Sequence, residues 1–305
     1  MFAFAVDIGG SGVRAAALDA SGMPTTVARR PLSASLDFDE TWSTIVGCLR
    51  EVTAGSEIDT IGVSFPAFLS DDGCIQGIVN LPALQGVDLA ERLTTDTGSR
   101  LTLPIPDLGA TVVAEARRGA GAGRRRVLAT GIGTGVNAAI AVDGDLFAVA
   151  LGALGDAGHV IVEPDGPRCA CGGRGCLEAI CSGAALDAEA RRLGWSGAKE
   201  LGERAYADDL TARAVLERAG RGLGRAIASW SAMLVPDVVV VAGRVALIGA
   251  ALLDPAREEL RRVGSPQWAS ELDVVLATFP VDAALIGAGL LAHKMSTVVG
   301  HRAAS

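Results

Sequence analysis

A chain of 305 residues with 50% hydrophobic content can bury one large core or two smaller ones, and is far too apolar to stay disordered. A formal net charge of −8 excludes a nucleic-acid surface, because neutralising phosphates needs a clustered basic face, and no apolar run approaches the roughly 20 residues that span a bilayer. Aromatic residues make up only 4%, so small and branched side chains must fill the interior, which favours layered α/β structure.

The apolar opening Met1 to Val6 lacks a preceding basic segment and reads as a first strand, not a signal peptide. Strands are predicted at residues 3–7, 13–19 and 25–30, joined by a Gly-rich turn and by Ala20-Ser21-Gly22. A helix over 38–53 follows, then a buried strand from Ile58 to Phe65, a loop punctuated by Pro82 and Gly86, and a short helix from about Val87 to Thr95. Leu101 to Ile105 reads as a strand that delivers Asp107 to the start of a helix running to Ala116. Arg124-Arg125-Arg126 reads as a solvated loop before the next strand. Val127 to Ile132, a Gly-rich turn and Val136 to Val142 then repeat the opening hairpin, with Gly12-Val13-Arg14-Ala15-Ala16 matching Gly135-Val136-Asn137-Ala138-Ala139. Gly183 to Gly264 is mostly helical. It includes a long helix from about Asp209 to Leu234, closed by Pro236, and the buried strand Val238 to Val241. A last strand, Leu272 to Leu276, precedes a closing helix that begins near Asp282.

Two turns carry chemistry. Asp7-Ile8-Gly9-Gly10-Ser11-Gly12 and Thr130-Gly131-Ile132-Gly133-Thr134-Gly135 each present a run of backbone N–H groups with hydroxyls alongside, and glycine allows close approach and positive φ. One such turn reads as a plain hairpin; two in corresponding places point to a clamp on a polyphosphate. Asp7 is then placed to hold Mg²⁺ through water, its other reading being a turn-capping carboxylate. The sharpest local signal is His159, Cys169, Cys171 and Cys176, spaced H-x9-C-x-C-x4-C with Gly172, Gly173 and Gly175 between the cysteines, a ligand set and spacing that suit tetrahedral Zn²⁺. Cysteines so clustered fit a cytoplasmic metal site better than secreted disulfides. Cys48, Cys74 and Cys181 stand apart and read as buried thiols.

Taken together, the chain resembles the ROK family (repressor, open reading frame, kinase) over essentially its whole length. The resemblance rests on D-I-G-G at the start, V-N-L-P at Val79 to Pro82, the T-G-I-G turn and G-D-A-G-H at Gly155 to His159. It rests equally on P-D-G-P-R-C-A-C-G-G-R-G-C-L-E at Pro164 to Glu178 and on D-A-A-L-I-G-A at Asp282 to Ala288.

Membership implies a two-lobed actin-like ATPase (ribonuclease H-like) α/β fold, with ATP in an interlobe cleft and transfer of its γ-phosphoryl group to a sugar hydroxyl. A smaller lobe is expected over 1–108, with the C-terminal helix of about 284–305 returning to it, and a larger lobe over 109–283 carrying the zinc loop. The family's catalytic base falls on Asp107, which read alone would be a helix N-cap. The resemblance places ATP and Mg²⁺ at Asp7, Gly9, Gly10, Ser11, Thr130, Gly131, Gly133 and Gly243, and the sugar at Asn80, Asp107, Asp156, His159 and Glu178. It also implies one structural zinc per chain, a ring nitrogen of His159 left to face the sugar, and a homodimer or homotetramer.

Four positions depart from the family pattern. N-D-A-N reads Pro106-Asp107-Leu108-Gly109, the Glu of G-E-x-G-H is Asp156, the Thr and Lys after D-x-G-G are Ser11 and Gly12, and the nucleotide-side G-G-G is Ala242-Gly243-Arg244. They leave open a sugar-binding protein with impaired catalysis. A transcription regulator of the family would carry a helix-turn-helix ahead of the first strand. The expectation is therefore a kinase acting on glucose or on an amino sugar such as kanosamine, with an N-acetylhexosamine as the alternative.

Overall fold

The computed structural model describes residues 2–148 and 155–303, and the chain divides into two compact units. One comprises Met1–Ala114, Asp145–Gly155 and Val281–Ser305; the other comprises Glu115–Gly144 and Asp156–Pro280.

The first unit opens with β1 (Ala3–Gly9), β2 (Gly12–Leu18) and β3 (Pro24–Pro31) as an antiparallel meander. Helix α1 (Phe38–Thr53) starts from a capping box, in which the Asp37 side chain accepts from the Glu40 N–H and Glu40 accepts in return from the Asp37 N–H. Then come β4 (Thr60–Phe65), the two-residue strands β5 (Phe68–Leu69) and β6 (Ile75–Gln76), α2 (Leu89–Thr97), β7 (Leu101–Pro106) and α3 (Asp107–Arg118). The sheet order is β3-β2-β1-β4-β7, with β1, β4 and β7 mutually parallel.

The second unit repeats this plan. Strands β8 (Arg126–Ile132) and β9 (Val136–Val142) form its hairpin; β10 (Asp145–Phe147), a strand of the same sheet, is counted with the first unit, and the helices α4 (Glu178–Cys181), α5 (Gly183–Arg192), α6 (Ala198–Tyr206) and α7 (Leu210–Leu234) follow. Strand β11 (Val238–Ala242), α8 (Ala250–Val263) and β12 (Asp273–Leu276) complete it, and α9 (Ala283–Ala303) belongs to the first unit. The second sheet has the order β10-β9-β8-β11-β12, again a hairpin beside two parallel strands. The repeat visible in the sequence is therefore a repeat of sheet topology.

Alternation along β1 sorts the first unit's core. Phe4, Val6 and Ile8 pack with Ile45, Leu49 and Leu93 of α1 and α2, while Ala5 packs on the opposite face with Ala110 of α3 and Leu285 and Ala288 of α9. That second face is lined by small residues because α9 lies almost on the backbone. A Cβ added at Gly62 would fall 2.1 Å from the Ala288 carbonyl oxygen, and one at Gly287 would fall 1.8 Å from that of Ala110. Of the three isolated cysteines, Cys48 and Cys181 are buried as expected, but Cys74 is only half-buried, since it lies beside the short β5–β6 hairpin and not in a core strand.

In an unconstrained helix, Gly→Ala gains up to about 1 kcal/mol. At Gly287 the added methyl meets the α3 backbone, and overpacking of this kind typically costs about 1–3 kcal/mol. Gly287→Ala is therefore expected to lower Tm by several degrees in thermal unfolding, the reverse of the propensity effect.

Candidate active site and metal centre

Asp7 faces the α3–α9 side of the first sheet, as its parity with Ala5 requires. Pairing sets Arg14 of β2 opposite it on one side and Ser64 of β4 on the other. The Asp7 carboxylate accepts from Ser64 Oγ at 2.8 Å through one oxygen and from Arg14 Nη2 at 2.6 Å and Nε at 3.1 Å through the other. Gly10 and Ser11 form the two-residue turn beyond Asp7. A Cβ at Gly10 would lie 2.7 Å from that of Asn80, and one at Gly12 would lie 2.9 Å from the Arg30 carbonyl oxygen. None of Gly9, Gly10, Gly12, Gly133 and Gly135 takes a positive φ; of the two roles expected of glycine here, close approach holds at Gly10, Gly12 and Gly135, and left-handed backbone at none of the five.

Asp107 follows directly from β7 and opens α3. Its residue is exposed, yet the mass of protein around the carboxyl pushes its pKa up to about 6, and the charge of Asp7 adds to the shift. The Leu108 N–H, donating at 2.7 Å, works against the rise. An exposed residue leaves this carboxyl within reach of a ligand. Such a group sits close to neutrality while remaining mostly ionised at pH 7.

The corresponding turn of the second unit is built differently. Thr130, at the place of Asp7, is fully buried, and its hydroxyl donates to the Asn137 carbonyl at 3.0 Å. Gly131 and Gly133 continue the turn, and Thr134 is exposed like Ser11. The Gly183 N–H donates to the Gly133 carbonyl at 2.7 Å, and Gly243, at φ 90°, has its Cα against Ile132, so a Cβ there would lie 2.4 Å from the Ile132 carbonyl oxygen. Three segments thus converge on one glycine turn. Glu178, at the head of α4, accepts the Val136 N–H at 3.0 Å and closes over Gly135. Asn137, a residue the sequence reading passed over, accepts from the Ala138 and Ala157 N–H groups and so ties β9 to the turn that carries Asp156 and His159.

His159, Cys169, Cys171 and Cys176 meet. Their ligand atoms all lie within 4.8 Å of one another. Cys169 Sγ is 3.5 Å from His159 Nδ1, and Cys171 Sγ is 3.7 Å from Cys176 Sγ. Zinc–ligand bond lengths in a tetrahedron give edges of roughly 3.5 Å for S···N and roughly 3.8 Å for S···S, so the donors are spaced to fit. Gly172 and Gly175 take φ of 92° and 74°, and a Cβ at Gly175 would lie 1.7 Å from the Glu163 carbonyl oxygen; here positive φ does require glycine. With Nδ1 turned to the cysteines, Nε2 lies 3.3 Å from Asp156 Oδ2. His159 therefore orients a second sugar-site candidate, with its free nitrogen on that carboxylate.

The model of the ROK family matches residues 3–295. The chain belongs to the ROK family. Among curated ROK-like relatives, a glucokinase of Thermotoga maritima is 30% identical over 261 residues, covering 80% of this chain and 82% of its own length. An N-acetylmannosamine kinase of Escherichia coli is 29% identical over 303 residues, covering 96% of this chain and 99% of its own. The crystal structure of the ROK hexokinase from Thermus thermophilus superposes with a TM-score of 0.84 at 26% identity, covering 98% of this chain and all of that one. The fold is accordingly the actin-like ATPase fold of ROK sugar kinases.

Within this ROK chain, Asp7, Gly9, Gly10, Ser11, Asn80 and Asp107 lie in the first unit, while Thr130, Gly131, Gly133, Asp156, His159, Glu178, Gly243 and the three ligand cysteines lie in the second. Arg14 and Ser64 were missed. Arg14 could have been found, because a two-residue turn at Gly10-Ser11 forces residue 14 opposite residue 7. The parallel register that brings in Ser64 left no local trace.

Purified without chelator, the protein is expected to hold one zinc per chain by elemental analysis. Cys176→Ser should lose most of it and unfold at lower temperature, since a site that exists only in the folded chain turns metal-binding free energy into folding free energy.

Proposed function

We propose that this ROK protein is an ATP-dependent kinase that phosphorylates the 6-hydroxyl of a glucopyranose-type sugar, with Asp107 as general base. The sugar-kinase assignment follows from the family and from the glucokinase and N-acetylmannosamine kinase relatives. The observation that carries the base is the Asp107 carboxyl itself, on an exposed residue at the head of α3, with the surrounding protein and the charge of Asp7 raising its pKa to about 6. It accepts the hydroxyl proton as the sugar oxygen bonds to the γ-phosphorus, and the bond from that phosphorus to the β,γ-bridging oxygen breaks as ADP leaves. The glycine turns after Asp7 and Thr130 offer backbone N–H groups to the phosphates, and Mg²⁺ arrives with ATP. Asn80, Asp156 and Glu178 are assigned to the sugar hydroxyls, and His159, with Nδ1 at the cysteines and Nε2 on Asp156 instead of facing the sugar as expected, acts by orienting that carboxylate. Zinc on His159, Cys169, Cys171 and Cys176 would fix the His159 ring and supply no reacting group.

Asp156 is one methylene shorter than the family's glutamate, and Pro106 offers no side-chain donor where an asparagine is usual. Both changes make room beside a carboxylate, which an ammonium substituent meets as a charge-assisted pair. An amino sugar such as kanosamine or glucosamine is thus expected to be phosphorylated at least as well as glucose. The N-acetylmannosamine kinase relatives favour a second reading in which the added space holds an N-acetyl group. Comparing kcat/KM for glucose, 2-amino, 3-amino and N-acetyl sugars decides among them, because a buried polar group left unpaired by the wrong sugar costs orders of magnitude. A strong preference for glucose over all of them would refute both.

Asp107→Asn should keep the fold and lower single-turnover transfer by about 10²–10⁴-fold. The pH dependence has a definite sign. Acid protonates Asp107 and removes the acceptor, so kcat/KM should be level above about pH 6 and fall roughly tenfold per unit below it. Transfer by Asp107→Asn that stays within a few fold of the unaltered protein, or that keeps the acid limb, would assign the base elsewhere.

A further inference from the structure

Arg14 has no part in the reaction just described, yet it is among the most heavily engaged side chains of the first unit. Nε and Nη2 both donate to Asp7 Oδ2, at 3.1 and 2.6 Å. Nη1 donates to Asp282 Oδ1 at 2.6 Å, and Nη2 also reaches the Val281 carbonyl at 2.8 Å, just ahead of α9. The side chain is 17% exposed. Gly12, the preceding residue on the same face of β2, has no side chain to compete for this place. With Ser64 Oγ on Asp7 Oδ1, both lone pairs of Oδ2 are in use and Oδ1 keeps one.

Mg²⁺ demands oxygen ligands at about 2.0–2.1 Å in a near-ideal octahedron and gives up its waters reluctantly. It cannot take Asp7 Oδ2 without displacing a guanidinium held by four hydrogen bonds. We propose that Arg14 is a positioning residue that withholds Asp7 from direct metal coordination. The metal of the nucleoside triphosphate would then be kept from binding Asp7 directly, and the nucleotide-free protein holds no divalent cation at this carboxylate. The inference rests on the reading of Asp7 as the partner of that metal, but its test needs no phosphoryl transfer. Asp7 and Asp282 share one guanidinium, so removing it leaves two carboxylates that a divalent cation would relieve.

The test is Mn²⁺ titrated into zinc-loaded, nucleotide-free protein and followed by electron paramagnetic resonance. Arg14→Met should bind one Mn²⁺ per chain at least tenfold more tightly than the unaltered protein, and adding Asp7→Asn should abolish the gain. Arg14→Gln keeps a donor for Asp7 without the charge; it should change in the same direction and guards against misfolding of the methionine variant. Arg14→Lys should stay near the unaltered protein, as should Asp282→Asn, which leaves the guanidinium on Asp7. Equal Mn²⁺ affinity with and without the guanidinium would overturn the inference, as would a site in the unaltered protein that Asp7→Asn removes. A gain in Mn²⁺ binding without sugar phosphorylation would leave this inference standing and remove the kinase reading. Active kinase with no gain would do the opposite.

Discussion

The first unit depends on how closely α9 approaches the sheet. Gly62 and Gly287 let the helix lie against the backbone of β4 and α3, and Ala5, Ala16, Ala110 and Ala288 fill the narrow layer that results. Backbone contact at this range fixes a helix far more tightly than flexible side chains can, because interiors are close-packed and shift little under strain. Three things are located by it. Asp282 is held at the head of α9, Asp107 at the head of α3, and the row Arg14–Asp7–Ser64 across three strands beneath them. The abundance of alanine and glycine, which at the level of composition only argues against an aromatic core, is here the means of setting charged groups in register.

The two sheets share one strand order but not one chemistry. Where the first hairpin carries a carboxylate paired with a guanidinium, the second has a buried threonine whose hydroxyl is spent on the opposite strand. The repeated backbone supplies two glycine turns rich in N–H groups, while the side chains have diverged, leaving the Asp7–Arg14 pair in one copy and the His159 and cysteine cluster in the other. Glu178 and Asn137 show how the second copy compensates: each uses a side-chain oxygen to satisfy backbone donors that a regular hairpin would leave open.

Much of this was legible because its signal is local. The helix over 38–53 announced itself through periodicity, the hairpins through their glycine turns, and the candidate metal cluster through four ligand residues within a short stretch. What escaped depends on distant pairs of residues. The parallel register of Ser64 with Asp7 crosses 57 positions, and the steric reason for Gly10 is Asn80, a residue in another loop. Glycine in a phosphate-type turn was read as allowing both close approach and positive φ, and composition alone does not say which of the two a given glycine serves. Strands as short as β5 and β6 carry no period to detect, which is why Cys74 was assigned to a core it only borders. The raised pKa of Asp107 needed the surrounding mass of protein to be in place before it could be seen.

The contact between Gly10 and Asn80 joins two tasks that the sequence keeps 70 positions apart. With no room for even a methyl group between them, the turn that would carry phosphate and the residue that would carry sugar form one mechanical piece. A ligand that draws Asn80 into place also settles the turn, and one that orders the turn settles Asn80. Linkage makes any such effect mutual: whatever factor one ligand lends to the affinity of the other is returned in equal measure.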